Sequence, residues 1–178
     1  MAFVLIIILM PILIIIFLVI YVEDGMPIFF IQKRVGLNNK YFNIYKFRTM
    51  KVGTPNIESN LLTNHDQYIL KFGTFLRKNS LDELPNLFNI LNGDMVFVGP
   101  RPALYNQTDL VKLRNSLDIQ KIKPGITGLA QINGRDNISN EKKVEYDKEY
   151  LYNKSLILDL RIILHTFIRV ILRKNISH

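Results

Sequence analysis

Residues 1–22 read MAFVLIIILMPILIIIFLVIYV and carry no charged side chain. A helix over this run is about 33 Å long at 1.5 Å per residue, against a bilayer core of roughly 30 Å. Length alone therefore permits a membrane crossing. Pro11 sits in the middle, however, where it removes a helix hydrogen bond and crowds the preceding turn. It divides the run into halves of about 15 Å, neither of which spans a bilayer core. Two readings follow: a kinked helix that crosses, or a helix–break–helix that enters and leaves on one side. Proline is tolerated in spanning helices, which favours crossing when the run is read by itself. No basic segment precedes the run and no A-x-A site follows it, which argues against a cleaved signal peptide. Lys33 and Arg34 flank its C-terminal end and assign that end to the cytoplasm.

Beyond residue 22 the character changes. All 23 basic and 15 acidic side chains lie there, for a net charge of +8, although the mean hydropathy of the chain is only +0.13. The 178 residues suit one domain with a modest core. A basic body beside an apolar segment points to anionic headgroups, phosphates or nucleic acid. The chain has no cysteine, which removes disulfides, thiol catalysis and zinc–thiolate sites. His65, His165 and His178 are scattered and do not pair at metal-ligand spacing. Neither a G-x-G-x-x-G stretch, a Walker loop nor an internal repeat is present.

Ile28–Gly36 and Tyr41–Phe47 are aromatic and β-branched and flank a turn at residues 37–40, which predicts a β-hairpin. His65–Arg77 reads as a helix with Tyr68, Ile69, Phe72, Phe75 and Leu76 on one side. Ser80–Leu91 reads as a short second helix, Ala103–Asp118 as a third, Pro124–Arg135 as loop and Ser139–Asn153 as a charged helix. Residues 52–64 read as a polar loop. In Leu156–Lys174, Arg161, His165, Arg169 and Arg173 recur every four residues. Ile157, Leu160, Leu164, Ile168 and Ile171 lie opposite them, a pattern that suits a helix in a membrane interface or one packed on a soluble core.

The densest chemistry is in Arg77-Lys78-Asn79-Ser80-Leu81-Asp82-Glu83-Leu84-Pro85. Asp82 and Glu83 follow two cations at a predicted helix start. Adjacent helical residues point about 100° apart, so the two carboxylates divide labour rather than share a proton. One suits attack and the other a metal or a proton. The blander reading is a capping box, Ser80-x-x-Glu83. Pro85 prefers the first helical position and argues for a later start. Arg101 stands between Pro100 and Pro102, whose fixed φ angles aim a guanidinium at phosphate, or simply make a rigid turn. Gly134-Arg135-Asp136 offers a loop arginine beside backbone amides. Lys46-Phe47-Arg48 ends the second strand with two cations around an aromatic ring; the alternatives are a solvated strand end and a nucleic-acid contact.

Ordered together, Gln32-Lys33-Arg34-Val35-Gly36, residues 45–50 (YKFRTM), residues 80–85 (SLDELP), residues 92–95 (NGDM), residues 98–102 (VGPRP), residues 123–128 (KPGITG), residues 131–135 (QINGR), Tyr146-Asp147 and residues 158–160 (LDL) closely resemble the small monotopic phosphoglycosyl transferases. That bacterial sugar transferase family starts glycan assembly on polyprenol phosphate. The resemblance covers about residues 10–168. It implies an α+β fold, mostly helical with a small β-hairpin, and interfacial amphipathic helices such as 156–174. It also implies a re-entrant membrane helix over 1–22 broken at Pro11, followed by a catalytic domain over 23–178 at the cytoplasmic face of the bacterial inner membrane. Re-entry thereby replaces the crossing favoured above. Many members have serine where this chain has Met10.

The same resemblance implies the chemistry. Asp82 is the expected nucleophile and Glu83 its neighbour in an acid–acid dyad and the Mg²⁺ contact. Arg77, Arg101 and Arg135 are expected phosphate and nucleotide contacts, with Lys46 and Arg48 near the substrate. A UDP-sugar and polyprenol (undecaprenyl) phosphate are the expected partners, nucleic acid is not, and self-association is left open. Two other classes compete: a non-catalytic membrane adaptor that binds anionic lipid or a protein, and a membrane-tethered nucleic-acid binder, for which no motif is present. The sugar is not legible.

Overall fold

The computed structural model describes residues 1–54, 67–134 and 138–172. The chain forms two compact units. One contains Met1–Ile31 and Tyr45–Phe88, the other Gln32–Ile44 and Asn89 onward. The architecture is mostly helical with two small strand pairs.

In the first unit, α1 runs from Ala2 to Asp24. Its helix continues through Pro11, so the break expected there is absent from the secondary structure. A proline deletes one amide donor, and the remaining hydrogen bonds on either side hold the helix together. Ala2, Ile6, Leu13, Ile16 and Ile20 form a buried stripe, while Val4, Ile7, Ile8, Ile14, Ile15, Leu18 and Val22 are exposed. The spacing of three, four and seven places the stripe on one helical face. Leu13, Ile16 and Ile20 pack with Ile28, Phe47, Leu70 and Leu76 in one core. Each fully buried side chain of this kind contributes about 1.5–3 kcal/mol. Gly25 ends the helix with φ +64°, a conformation glycine adopts without penalty, and its amide bonds the Tyr21 carbonyl at 3.0 Å.

Strand β1 (Phe29–Val35) and β2 (Tyr41–Phe47) form the predicted hairpin. Gly36 donates to the Lys40 carbonyl at 2.8 Å, and Asn38 and Asn39 take the positive φ that asparagine tolerates.

The helix expected at His65–Arg77 begins later, as α2, Lys71–Lys78. His65 and Asp66 lie outside the described residues. Ile69 instead bridges Met50, and Leu70 donates to the Thr49 carbonyl at 3.0 Å. This pairing with a distant strand end overrides the local helical period. Glu23 then caps α2, accepting from the amides of Lys71 at 2.5 Å and Phe72 at 3.2 Å. Gly73 lets α2 press on the strand end, since a Cβ there would lie 2.3 Å from the Thr49 carbonyl oxygen.

The region expected as one helix, Ser80–Leu91, is a 3₁₀ turn at Leu81–Glu83 followed by α3, Asn86–Leu91. Ser80 is left-handed (φ 54°) and its side chain makes no cap bond, so the capping box does not form. An N-cap needs extended backbone, which Ser80 lacks.

In the second unit, β3 (Val96–Val98) pairs in parallel with β4 (Gly125–Thr127), Val96 opposite Gly125 and Val98 opposite Thr127. The segment expected as loop, Pro124–Arg135, therefore holds β4 and a short α5, Leu129–Asn133. The third expected helix shrinks to α4, Thr108–Asn115, because Leu104 bridges Arg34 and Ala103 accepts from Val35. Helix α6 (Asn140–Asn153) starts as predicted, with Ser139 accepting from the Lys142 amide. Helix α7 is described over Leu156–Leu172. Its Ile162 is fully buried with Val98, Leu129, Ile132 and Tyr150, and Thr166 meets Thr127 at 2.6 Å.

Candidate active site

The 3₁₀ turn at Leu81–Glu83 carries the two adjacent carboxylates outside any α-helix. Leu81 and Leu84 pack on the core formed with α1, which fixes the turn from beneath. Glu83 is buried, whereas Asp82 is half-buried. Strand β2 brings Lys46 to the turn: its Nζ donates to Glu83 Oε1 at 2.7 Å. The side chains are only 14% and 10% exposed, so this pair is shielded from the water that weakens surface ion pairs. Arg77, half-buried in the last turn of α2, lies three residues before the left-handed Ser80, and its backbone carbonyl accepts from the Ser80 amide at 3.1 Å. One unit thus contains Lys46, Arg77, Asp82 and Glu83.

Arg48 has a different place from the one expected. It is buried, and its guanidinium is spent on the end of α1. Nε donates to the Pro27 carbonyl at 2.5 Å, Nη2 to the carbonyls of Asp24 and Gly25, and Nη1 to the Asp24 carboxylate and the Met50 carbonyl. A guanidinium has five N–H donors, and all are engaged here. Arg48 is a clamp on the 24–27 loop.

Arg101 belongs to the second unit and is half-buried between Pro100 and Pro102. Its backbone is held by Arg114, to which the sequence assigned no role, and by Arg34, expected only as a flanking charge within a family block. Arg114 Nη1 donates to the Arg101 carbonyl at 2.9 Å, and Arg34 Nη1 to the Pro102 carbonyl at 3.0 Å. Arg114 in turn forks onto Asp147 from Nε and Nη2, at 3.0 and 2.7 Å. Burial pushes the Asp147 carboxyl above the usual carboxylate range, against the opposing pull of Arg114. The signal available beforehand was Asp147, an acidic residue on the otherwise core-facing side of α6. Arg135 lies outside the described residues.

A carboxylate pair suits a hard cation. Mg²⁺ takes oxygen ligands, and uses one or two carboxylates with water and substrate phosphates rather than an all-protein cage. Among the described residues no group of three His, Cys, Asp or Glu side chains assembles, and Asp82 with Glu83 fits the sparser arrangement.

Several relatives are similar to this chain. A Bacillus subtilis protein called an uncharacterized sugar transferase, EpsL, is 44% identical over 159 residues, 89% of this chain and 77% of that one. A UDP-glucose:undecaprenyl-phosphate glucose-1-phosphate transferase of Xanthomonas campestris is 44% identical over 84% of this chain and 32% of its own length. An undecaprenyl-phosphate galactose phosphotransferase of Salmonella typhimurium is 37% identical over 86% of this chain and 35% of its own. The chain thus spans about a third of these last two. The family described as Bacterial sugar transferase matches residues 1–173, so nearly the whole of this chain belongs to that family.

Proposed function

We propose that the protein transfers a sugar-1-phosphate from a UDP-sugar to polyprenol (undecaprenyl) phosphate and releases UMP, as the first step of a surface glycan. The observation that carries this reading is the dyad itself: Asp82 and Glu83 on a tight turn, with Glu83 paired to Lys46 beside it. The names of the relatives supply the reaction class.

In this reading an Asp82 carboxylate oxygen attacks the sugar-bearing phosphorus of the donor. The bond to the bridging oxygen breaks, and UMP leaves with the electron pair. A phosphate oxygen of the lipid then attacks the same phosphorus. The bond to Asp82 breaks, and the carboxylate is restored. Glu83 would hold Mg²⁺, which would supply charge neutralisation for the diphosphate. Arg77, Arg101 and Arg135 serve as phosphate and nucleotide contacts, their guanidinium forks matching phosphate oxygens. The Lys46 ammonium adds positive charge at the same carboxylate pair.

The membrane supplies the second substrate. Helix α1 is long and apolar enough to cross a bilayer, and most of its surface is exposed in the protein alone. Exposed apolar area on this scale needs a non-aqueous cover. We take 1–22 as a re-entrant insertion that bends at Pro11 within a continuous helix and without a break, with 23–178 on the cytoplasmic face and α7 in the interface. Opposite its buried Ile162, α7 exposes Leu156, Leu160, Leu164 and Phe167, flanked by the exposed Arg161 and His165. The chain lacks cysteine, so a single one placed at Phe3, which is 62% exposed, reports topology. Labelling only from the cytoplasmic side supports re-entry, and labelling from the far side rejects it.

The decisive experiment is mass analysis of the peptide bearing Asp82 after incubation with UDP-sugars and Mg²⁺. A phosphosugar adduct, absent in Asp82→Asn, supports the mechanism. No adduct and no UMP release with any donor, alongside salt-sensitive liposome binding, would leave the adaptor reading standing instead.

A further inference from the structure

Lys46 was expected near the substrate, yet its ammonium is on Glu83 Oε1 at 2.7 Å. Glu83 is only 9% exposed, and an unpaired carboxylate so placed would carry a large desolvation cost. The pair with Lys46 offsets part of that cost. It also raises a competition. The carboxylate that must receive a metal is already occupied by a cation on the same oxygen atom. Two cations within a few ångströms of one carboxylate repel strongly in a shielded site.

We propose that Lys46 is an internal counter-cation for Glu83, displaced when a divalent metal binds, and that it thereby sets the metal affinity of the site. Lys46 is a positioning residue, holding Glu83 in place at the turn. On metal entry its flexible four-carbon stem lets the ammonium move off Oε1, within reach of the phosphates that arrive with the metal. The site therefore binds the metal weakly on its own and more firmly with the donor's diphosphate, because the phosphates take over the displaced ammonium. This inference rests on the reading of Glu83 as the metal contact.

The test is direct binding of Mn²⁺, an oxygen-site substitute for Mg²⁺ that is counted by its paramagnetic resonance signal. The full chain is used in detergent or nanodiscs, with and without UDP. Lys46→Met should bind Mn²⁺ about tenfold more tightly than the wild type without UDP, since the competing charge is gone. Lys46→Arg, which keeps the charge, should stay near the wild type. Lys46→Gln is measured in parallel in case the methionine variant does not fold. If both neutral variants bind no more tightly than the wild type, including no measurable binding in any, the competition is refuted. Glu83→Gln separates the two levels. Loss of Mn²⁺ binding there, with Lys46→Met unchanged, removes only the role given to Lys46. Full binding by Glu83→Gln removes the metal assignment, and this inference with it.

Discussion

Arg114 forks onto Asp147 through Nε and Nη2 while its Nη1 holds the Arg101 carbonyl at 2.9 Å. One guanidinium therefore neutralises a carboxylate that is 1% exposed and also fixes the turn between two prolines. A surface pair in this position would contribute little, but a buried one becomes a liability when either partner is lost.

Arg114→Met should accordingly cost about 3–5 kcal/mol, because Asp147 stays buried without its cation. The pH dependence has a definite sign. Burial raises the Asp147 pKa in the folded state, so the folded protein binds its proton more tightly than the unfolded chain does. Stability from this group is greatest below the ordinary carboxylate range and falls as pH rises through the raised value. Without Arg114 that fall should be larger. Thermal melts of wild type and variant at several pH values measure it, and a parallel offset with no added slope would contradict it.

Arg48→Lys should behave as a folding variant and not as a binding variant. Lysine offers three donors on one nitrogen and cannot span Pro27, Gly25 and the Asp24 carboxylate together. The expected result is a loss of about 2–4 kcal/mol in stability, with KM for the donor close to unchanged in the protein that remains folded. A large rise in KM without a loss of stability would restore Arg48 to the substrate.

Gly73→Ala tests the contact between α2 and the end of β2. Alanine normally favours a helix interior by about 1 kcal/mol over glycine. Here the added methyl meets the Thr49 carbonyl at 2.3 Å, so the sign should reverse and the melting temperature should fall. An increase would mean that the two backbones separate freely.

The exposed face of α7 gives a contrast between two substitutions on one helix. Leu164→Glu should leave folding intact and reduce retention on anionic vesicles, since Leu164 is 60% exposed. Ile162→Glu should abolish folding, because Ile162 is fully buried. Flotation and circular dichroism of the two proteins distinguish an interfacial face from a core face. Equal vesicle retention by Leu164→Glu and the wild type would reject the interfacial reading.

Periodicity made much of the scaffold legible. The apolar run became α1, the alternating stretches became the hairpin, and Ser139 began α6 as its side-chain oxygen led one to expect. These features depend on local bonding and on a repeat of 2 or 3.6 residues, which are properties of contiguous sequence. The adjacency of Asp82 and Glu83 was legible for the same reason. Family motifs, rather than spacing, distinguished them from a helix cap.

Contacts between distant segments decided the rest. Met50 drew Ile69 out of a helix, and the three-residue strand Val96–Val98 found its partner at Gly125–Thr127, distant in the chain. Neither strand has enough residues to declare itself by alternation. Lys46 and Arg48 stand two apart and looked alike in sequence, two cations at a strand end. Tertiary structure sent one to Glu83 and the other to the end of α1, because a charge leaving water must find a counter-charge and only the folded chain determines which lies within reach.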